Sequence, residues 1–232
     1  TEEDALDARA SNWLASLAMG NQRAGMAWVD ISTGQFRVAE IPLDSVEDQC
    51  ARIEPAEMLW SPASWESEPD LTSTIIHQLG RKLSERDTWR FERDACMRVL
   101  KEHFKVATLE GFGIEDDSPV ISAAGALLEY LQETQRGACD HILTLECEHP
   151  GEHLVLDRAT RSTLELVATQ RGARREGTLI DTIDCSHSPM GGRLMREWML
   201  IPLRSTEAIL YRQRGVAELV DNPFLRGDIR ET

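Results

Sequence analysis

The sequence predicts an α/β domain with a mixed sheet over residues 1–137, followed by an all-α part over residues 138–232. Two observations predict this fold class. Up to Gly113 a strand hairpin is followed by alternating helix and strand patterns, which is typical of an α/β domain. Beyond Gly113 the apolar residues recur almost entirely with helical spacing.

The first part begins with a predicted helix over residues 1–19, where apolar residues show partial helical periodicity. A continuous apolar strand at 25–31 and an alternating strand at 35–39 flank Ser32-Thr33-Gly34 and therefore form a hairpin. The remaining predicted elements are a helix through Val46, Cys50 and Ile53, a strand at 56–60, a helix at 71–83, a strand at 88–91 and a helix at 95–104.

The chain beyond Gly113 is predicted to be nearly all helix, and the boundary between the two parts falls at the end of its first long helix. A long helix starts at Ser118-Pro119 and ends by Gly137. After it come an extended piece at 154–156, helices at 158–169 and 189–199, and an apolar helical run from Ile209 to Val220, before a polar end at 227–232. Two or three amphipathic helices cannot bury all their apolar faces on one another. We therefore expect the chain to be a fragment whose second part belongs to a larger helical domain.

Charge separates the two parts. Residues 1–137 carry 13 Lys and Arg against 25 Asp and Glu, a net charge of −12, whereas residues 138–232 carry 12 against 15, a net charge of −3. Sequence-independent affinity for nucleic acid comes mainly from Lys and Arg that neutralise phosphates. We therefore expect the first part not to bind DNA by itself, and its acidic surface is suited to a protein partner or to solubility.

Composition indicates a globular cytosolic protein. Hydrophobic residues make up 41% of the chain, and no apolar run reaches the roughly 18 residues of a membrane span. The N-terminus is acidic and lacks the pattern of a signal peptide. The five cysteines, at 50, 96, 139, 147 and 185, lack framework spacing, so we expect free thiols in a reducing compartment.

The segment at 181–203 contains the clearest local signals. Ser188 is placed to cap a helix whose first residue is Pro189, and Pro202 prevents its continuation. Gly191 and Gly192 weaken its first turn, so they indicate either an anion at the helix N-terminus or another element that crosses there. No Gly-rich phosphate loop with Lys-Ser or Lys-Thr precedes the helix, which favours packing.

One enzymatic alternative starts at Asp30. A nuclease of the RNase H type holds two metal ions with an aspartate on its first strand, and Asp30 lies on the predicted apolar strand at 25–31. The other carboxylates that could contribute are Glu57, Asp87 and Glu92. Because the surface is acidic and lacks residues that grip a phosphate backbone, a buried or turn-capping Asp30 is favoured.

Two further sets of residues have a functional and a structural interpretation. Cys147-x-His149-x₃-His153 and Cys185-x-His187 contain zinc-ligand types but lack paired Cys-x₂₋₄-Cys spacing, so loop histidines and a buried cysteine are favoured. Arg171, Arg174 and Arg175 form the one basic cluster, which suits another domain or DNA but is better explained as a solvated helix end. We predict no catalytic, cofactor-binding or metal-binding residue in this chain.

Residues 25–36 contain the motif Val-Asp-Ile-Ser-Thr-Gly-Gln-Phe, and further short motifs follow it along the chain. Their order resembles that in the MutS family of DNA mismatch repair proteins, whose connector-domain hairpin is similar to residues 25–36. Further similar tracts are Glu54-Pro55-Ala56-Glu57, Gly111-Phe112-Gly113, residues 123–130, Glu133-Thr134-Gln135, residues 157–166 and residues 181–203. This chain departs from the family at Ser186 and Ser188, which replace threonines, and at Ser162-Thr163, which replaces a basic residue and asparagine, while Arg161 agrees.

The resemblance implies an RNase H-like connector domain over 1–137 and the start of the helical lever over 138–232. It implies a non-catalytic relay that contacts MutL, within a homodimeric ATPase that binds mismatched DNA. Mismatch reading, the DNA clamp, and ATP and Mg²⁺ binding would lie outside this chain. A connector from a MutS paralogue with a role in recombination is the remaining alternative.

Overall fold

The computed structural model describes residues 12–134, 139–149, 151, 153–154, 156–171 and 174–231. The chain divides into two compact units, Asn12–Pro150 and one that contains Gly151–Thr232. The domain boundary predicted after residue 137 precedes a strand that pairs within the first unit, as described below.

A six-stranded mixed sheet forms the centre of the first unit. Its strands are β1 Trp13–Met19, β2 Arg23–Asp30, β3 Gln35–Pro42, β4 Glu57–Trp60, β5 Leu83–Glu85 and β6 Leu145–Glu148. Their order across the sheet is β5-β4-β1-β2-β3-β6. Strands β1, β2 and β3 form an antiparallel meander. Strand β4 is parallel to β1, β5 is parallel to β4, and β6 is parallel to β3.

Four helices cover this sheet: α1 Val46–Ile53, α2 Pro69–Leu79, α3 Arg93–Phe104 and α4 Val120–Thr134. Alternate residues of each central strand enter two separate buried clusters, as the two-residue period of a strand requires. The cluster with Phe36 and Leu127 includes α3 and α4, and the cluster with Trp28 and Ile75 includes α1 and α2. The sheet therefore has a core on each face.

The helix predicted over residues 1–19 is wrong for its described part, because residues 13–19 form β1. This strand lies between β2 and β4 and is buried along almost its whole length. A strand that is covered on both faces has no polar side, so its apolar run cannot be distinguished from a buried helix by periodicity. Residues 1–11 of that prediction lie outside the described part of the chain.

Three other predictions in this unit need correction. The strand predicted at 88–91 is a single 3₁₀ turn, Thr88–Phe91. The helix predicted to reach residue 83 ends at Leu79, where Gly80 adopts a positive φ of 52°, and β5 follows. Strand β6 was not predicted, because a four-residue edge strand with glutamates at two of its positions has too little apolar pattern. The hairpin and the α1, α3 and α4 helices are confirmed, although Gly137, the predicted end of α4, lies outside the described residues.

Helix α4 packs unusually close to its neighbours at two glycines. A Cβ built on Gly125 would lie 2.2 Å from the Cβ of Cys96 on α3. A Cβ on Gly25 in β2 would lie 2.2 Å from the backbone of Pro119, just before α4. Such distances leave no room for a methyl group, so these two glycines set how closely α4 approaches α3 and the sheet.

The second unit contains α5 Arg158–Thr163, α6 Leu179–Ile183, α7 Pro189–Leu200, α8 Thr206–Asp221 and α9 Pro223–Glu231. The extended residues near 154 are tied to the end of α7 by a bridge between His153 and Leu203. One prediction is wrong here. The helix predicted over 158–169 stops at Thr163, since Glu165 takes a left-handed φ of 46°. The predicted polar end is helical as far as Glu231.

Candidate functional site

Asp30 is buried at the end of β2 and closes the turn into β3. Its Oδ1 accepts hydrogen bonds from the backbone N–H of Ser32 at 2.9 Å and from the Ser32 hydroxyl at 2.6 Å. Its carbonyl accepts from the N–H of Gly34 at 2.9 Å, where a positive φ of 73° suits glycine. The carboxylate therefore caps a turn, in agreement with the structural interpretation of this residue.

The remaining carboxylates of the nuclease hypothesis have separate partners. Glu57 Oε1 accepts from the hydroxyls of Ser84 at 2.5 Å and Tyr130 at 2.9 Å. Asp87 and Glu92 flank the 3₁₀ turn before α3 and are exposed. Among the described residues, no group of three or more His, Cys, Asp and Glu side chains is arranged to hold a metal ion.

Strand order also removes the premise of that hypothesis. The nuclease hypothesis places Asp30 on the first strand, but the first strand in the described part of the chain is β1, whose sequence Trp-Leu-Ala-Ser-Leu-Ala-Met contains no acid. Asp30 pairs with Trp13 across the β1–β2 ladder, so it lies at the amino-terminal end of β1. A metal-binding aspartate in the predicted position is therefore missing from the first strand.

The cysteine and histidine sets are divided among different parts of the fold. Cys147 is half-buried on β6, and the exposed His149 lies beside Gly113. His153 belongs to the second unit, where it pairs with Leu203.

Burial raises the pKa of the Cys50 and Cys96 thiols to about 12, so these two cysteines are unreactive at neutral pH. The five cysteines are free, as predicted.

The basic cluster does not lie at a helix end. Helix α5 stops well before it, and Arg175 instead donates from Nη2 to Oδ2 of Asp184 at 2.6 Å. The Asp184 side chain is fully buried, and its other oxygen accepts from the backbone N–H of Ser186 at 3.0 Å. Arg175 and Asp184 therefore shape the segment that leads into α7. The sequence signal missed here was an acid two residues before Ser186 that can close an Asx turn.

The start of α7 has the capping predicted from its sequence. Ser188 Oγ accepts from the N–H of Gly191 at 3.1 Å, and Pro189 occupies the first helical position. A Cβ on Gly191 would lie 3.1 Å from the Cβ of Ser186 and 3.3 Å from Ser188 Oγ. Within this chain, the crowding at Gly191 comes from the capping segment itself. The expectation that another element crosses at the glycine pair stays a prediction. Gly192 is the buried residue of this helix.

Ion pairs that the sequence did not reveal link α4 to the segment after β5. Arg86 donates to Glu133 at 2.5 Å, and Arg90 contacts both Glu133 and Glu129. These contacts hold the pKa of Glu133 below its ordinary value, chiefly through the hydrogen bond from Arg86.

A cavity of about 180 Å³ lies beside Glu57 and Tyr130. Its volume is smaller than the roughly 300 Å³ at which small-molecule sites begin.

The fold and the side-chain geometry place the chain among proteins with an α/β domain followed by a helical unit. The acidic side chains of the nuclease hypothesis cap a turn, accept hydrogen bonds from neighbouring hydroxyls or lie exposed. None of the helices in the described part of the chain is long and apolar enough to cross a membrane.

Comparison with known proteins identifies the family. Residues 12–143 match MutS domain II, and residues 159–232 match MutS domain III. The chain belongs to the MutS family of DNA mismatch repair proteins. It is 35% identical over 229 residues to the DNA mismatch repair protein MutS of Chlorobaculum tepidum and 38% identical over 235 residues to that of Desulforapulum autotrophicum. These alignments cover 97% and 98% of this chain but 26% of each relative, so the chain spans about a quarter of their length.

Proposed function

We propose that this chain is a non-catalytic connector and lever module that relays conformational change within a mismatch repair protein. The observation that carries the proposal is the consecutive match of its two parts to MutS domains II and III. The structural roles of Asp30 and Glu57 support it, because these carboxylates stabilise turns and contacts between elements instead of converging on a common point.

An RNase H-like fold is part of this proposal for the first unit. It is supported by the antiparallel β1–β2–β3 meander, by the two parallel strands β4 and β5 beside β1, and by helices on both faces. The acid-free β1 supports the idea that this unit keeps the scaffold without nuclease chemistry. A fold of this kind hosts many functions, so the scaffold itself does not imply an activity.

Relay requires an element that moves as a rigid body, and α7 is suited to this role. Its start is fixed by the Ser188 cap and by Asp184, which holds Ser186. In the full-length protein, Gly191→Val would push a branched side chain against Ser186 and Ser188. We expect mismatch binding to persist while its stimulation of ATP hydrolysis falls. Gly215→Ala, at an open position in α8, is the matched control. Unchanged coupling in a folded Gly191→Val protein would contradict the relay.

Docking of MutL is proposed on the first unit. Its acidic surface supports this, since such a surface repels DNA and suits a protein partner. The 232-residue chain should retain MutL in a pull-down at low salt. If the full-length protein retains MutL and this chain, shown to be folded by circular dichroism, does not, the docking surface lies elsewhere.

Mismatched DNA, ATP with Mg²⁺ and the second subunit of a MutS homodimer are proposed to bind parts of the protein outside this chain. We propose that the protein acts in the bacterial cytosol at the nucleoid.

The two alternative functions, a nuclease and a recombination paralogue, can be tested directly. Labelled duplex incubated with this chain and Mg²⁺ or Mn²⁺ should remain intact, whereas cleavage that Asp30→Asn abolishes would establish a nuclease. A paralogue with a role in recombination is distinguished by whether the parent gene rescues a mismatch repair mutator strain.

A further inference from the structure

Strand β6 is the last element of the first unit, and the chain continues from it into the second unit. It lies at the end of the sheet and pairs with β3 over only four residues, from Phe36↔Leu145 to Ala39↔Glu148. Its apolar anchorage is the buried Leu145 and the partly buried Cys147, which packs against the core, while Glu146 and Glu148 are charged. A short parallel edge strand of this composition is weakly held by its ladder alone.

Charge supplies the additional attachment. Glu148 Oε2 accepts from Nη2 of Arg52 at 2.8 Å, and its Oε1 lies 3.7 Å from Nη1 of Arg37. Arg37 also donates from Nε to Glu146 at 3.1 Å. Arg37 lies on β3 and Arg52 on α1, so the single carboxylate of Glu148 joins three elements: β6, β3 and α1.

These contacts are shielded and partly pre-organised. The side chains of Arg37 and Arg52 are each 12% exposed, and that of Glu148 is 18% exposed. Arg52 Nε donates to Gln49 at 2.6 Å, and its guanidinium lies 5.3 Å from the centre of the Trp28 ring. Since Arg52 is held in place by contacts outside β6, Glu148 meets a cation whose position is already set.

We propose that Glu148 closes an electrostatic latch, formed with Arg37 and Arg52, that holds β6 on the sheet. The latch thereby decides whether the first unit ends with a paired strand. Release of β6 would free its four residues, each about 3.3 Å long, and so add roughly 13 Å of unpaired chain at the end of this unit. The latch is reversible, because the ladder that it supports is short, and it weakens as salt increases.

Hydrogen–deuterium exchange on the 232-residue chain tests the latch. In Glu148→Gln, amides of β6 should lose about tenfold of their protection, as expected for loss of a hydrogen-bonded charge, while amides of β1 and β2 keep theirs. Glu146→Gln is the matched control on the same strand. Its side chain is 55% exposed and pairs with Arg37, so we expect less than a twofold change.

Two further measurements separate a latch from general stabilisation. Raising NaCl from about 20 mM to about 500 mM should lower β6 protection two- to threefold in the natural sequence and have less effect in Glu148→Gln. The double variant Glu148→Gln with Arg52→Gln should lose no more β6 amide protection than the single variant that loses more. Unchanged β6 protection in Glu148→Gln, an equal loss over β1 and β2, or additive single changes would each overturn the proposal.

Discussion

The two units of this chain bury their apolar residues to very different extents. In the first unit the sheet has a core on each face, and Phe36, Trp28 and Leu127 are almost fully buried. In the described part of the second unit few side chains are buried, Ile180 and Leu166 among them, while Phe224 is 85% exposed and Tyr211 is 74% exposed. The first unit therefore satisfies its apolar pattern by itself, and the second presents amphipathic helices whose apolar sides face outward.

Because of this difference, the helices of the two units depend on different stabilising contacts. A helix in the first unit is held by tertiary packing, whereas a helix in the second depends more on its caps and on intrinsic propensity. Equivalent substitutions in the two units should therefore have unequal effects, and they test the contrast directly.

The largest expected effect comes from removing a buried ring. Phe36→Ala should lower the free energy of unfolding of the first unit by about 3–5 kcal/mol, because a fully buried phenylalanine leaves a cavity. Phe224→Ala should change stability by less than about 0.5 kcal/mol. Urea unfolding followed by tryptophan fluorescence measures both. Similar losses of stability in the two variants would contradict the difference in burial between the two units.

A second pair concerns glycines inside helices. Gly125→Ala should destabilise the first unit by about 2 kcal/mol, since the added Cβ would lie 2.2 Å from that of Cys96 and outweigh the gain in helix propensity. Gly215→Ala in α8 meets open space and should stabilise its helix by about 1 kcal/mol. Thermal unfolding by circular dichroism would show changes of opposite sign; changes of the same sign would contradict the packing at Gly125.

Helix caps provide a third pair. Ser188→Ala removes the hydroxyl that accepts from Gly191 and should reduce the local stability of α7 by about 1 kcal/mol. Ser45 occupies the same position before α1, but its hydroxyl donates to Asp44 and does not cap the helix. Ser45→Ala should therefore have little effect on α1. Amide exchange in the first turn of each helix is the measurement, and equal losses would show that the cap is not decisive.

The smallest effect is electrostatic. Because Arg86 and Arg90 lower the pKa of Glu133, its ionised form stabilises the folded state above the ordinary glutamate pKa. This stabilisation should be lost as the pH falls below the ordinary pKa of glutamate and then through the lower pKa that Glu133 has in the folded protein. The side chain is 40% exposed, so we expect no more than about 0.5 kcal/mol. Glu133→Gln should slightly reduce the dependence of the free energy of unfolding on pH in the acid range. An unchanged dependence would show that solvent completely screens the contacts of Glu133 with Arg86 and Arg90.

Local signals predicted much of the fold but little of the side-chain network. The hairpin through Asp30, the amphipathic α1 and the capped start of α7 follow from patterns within a few residues. The partners of Glu148, Glu133 and Asp184 could not be predicted in this way. Glu148 and Arg52 are 96 residues apart in the chain, and only the assembled sheet brings them together.

Residue types at fixed spacing were enough to predict the β2–β3 hairpin, the cap at Ser188 and the membership of the MutS family. Tertiary structure alone decided that residues 13–19 form a strand and that β6 joins the sheet. The physical reason is that a strand is completed by neighbours distant in sequence, whereas a helix closes its hydrogen bonds within its own segment.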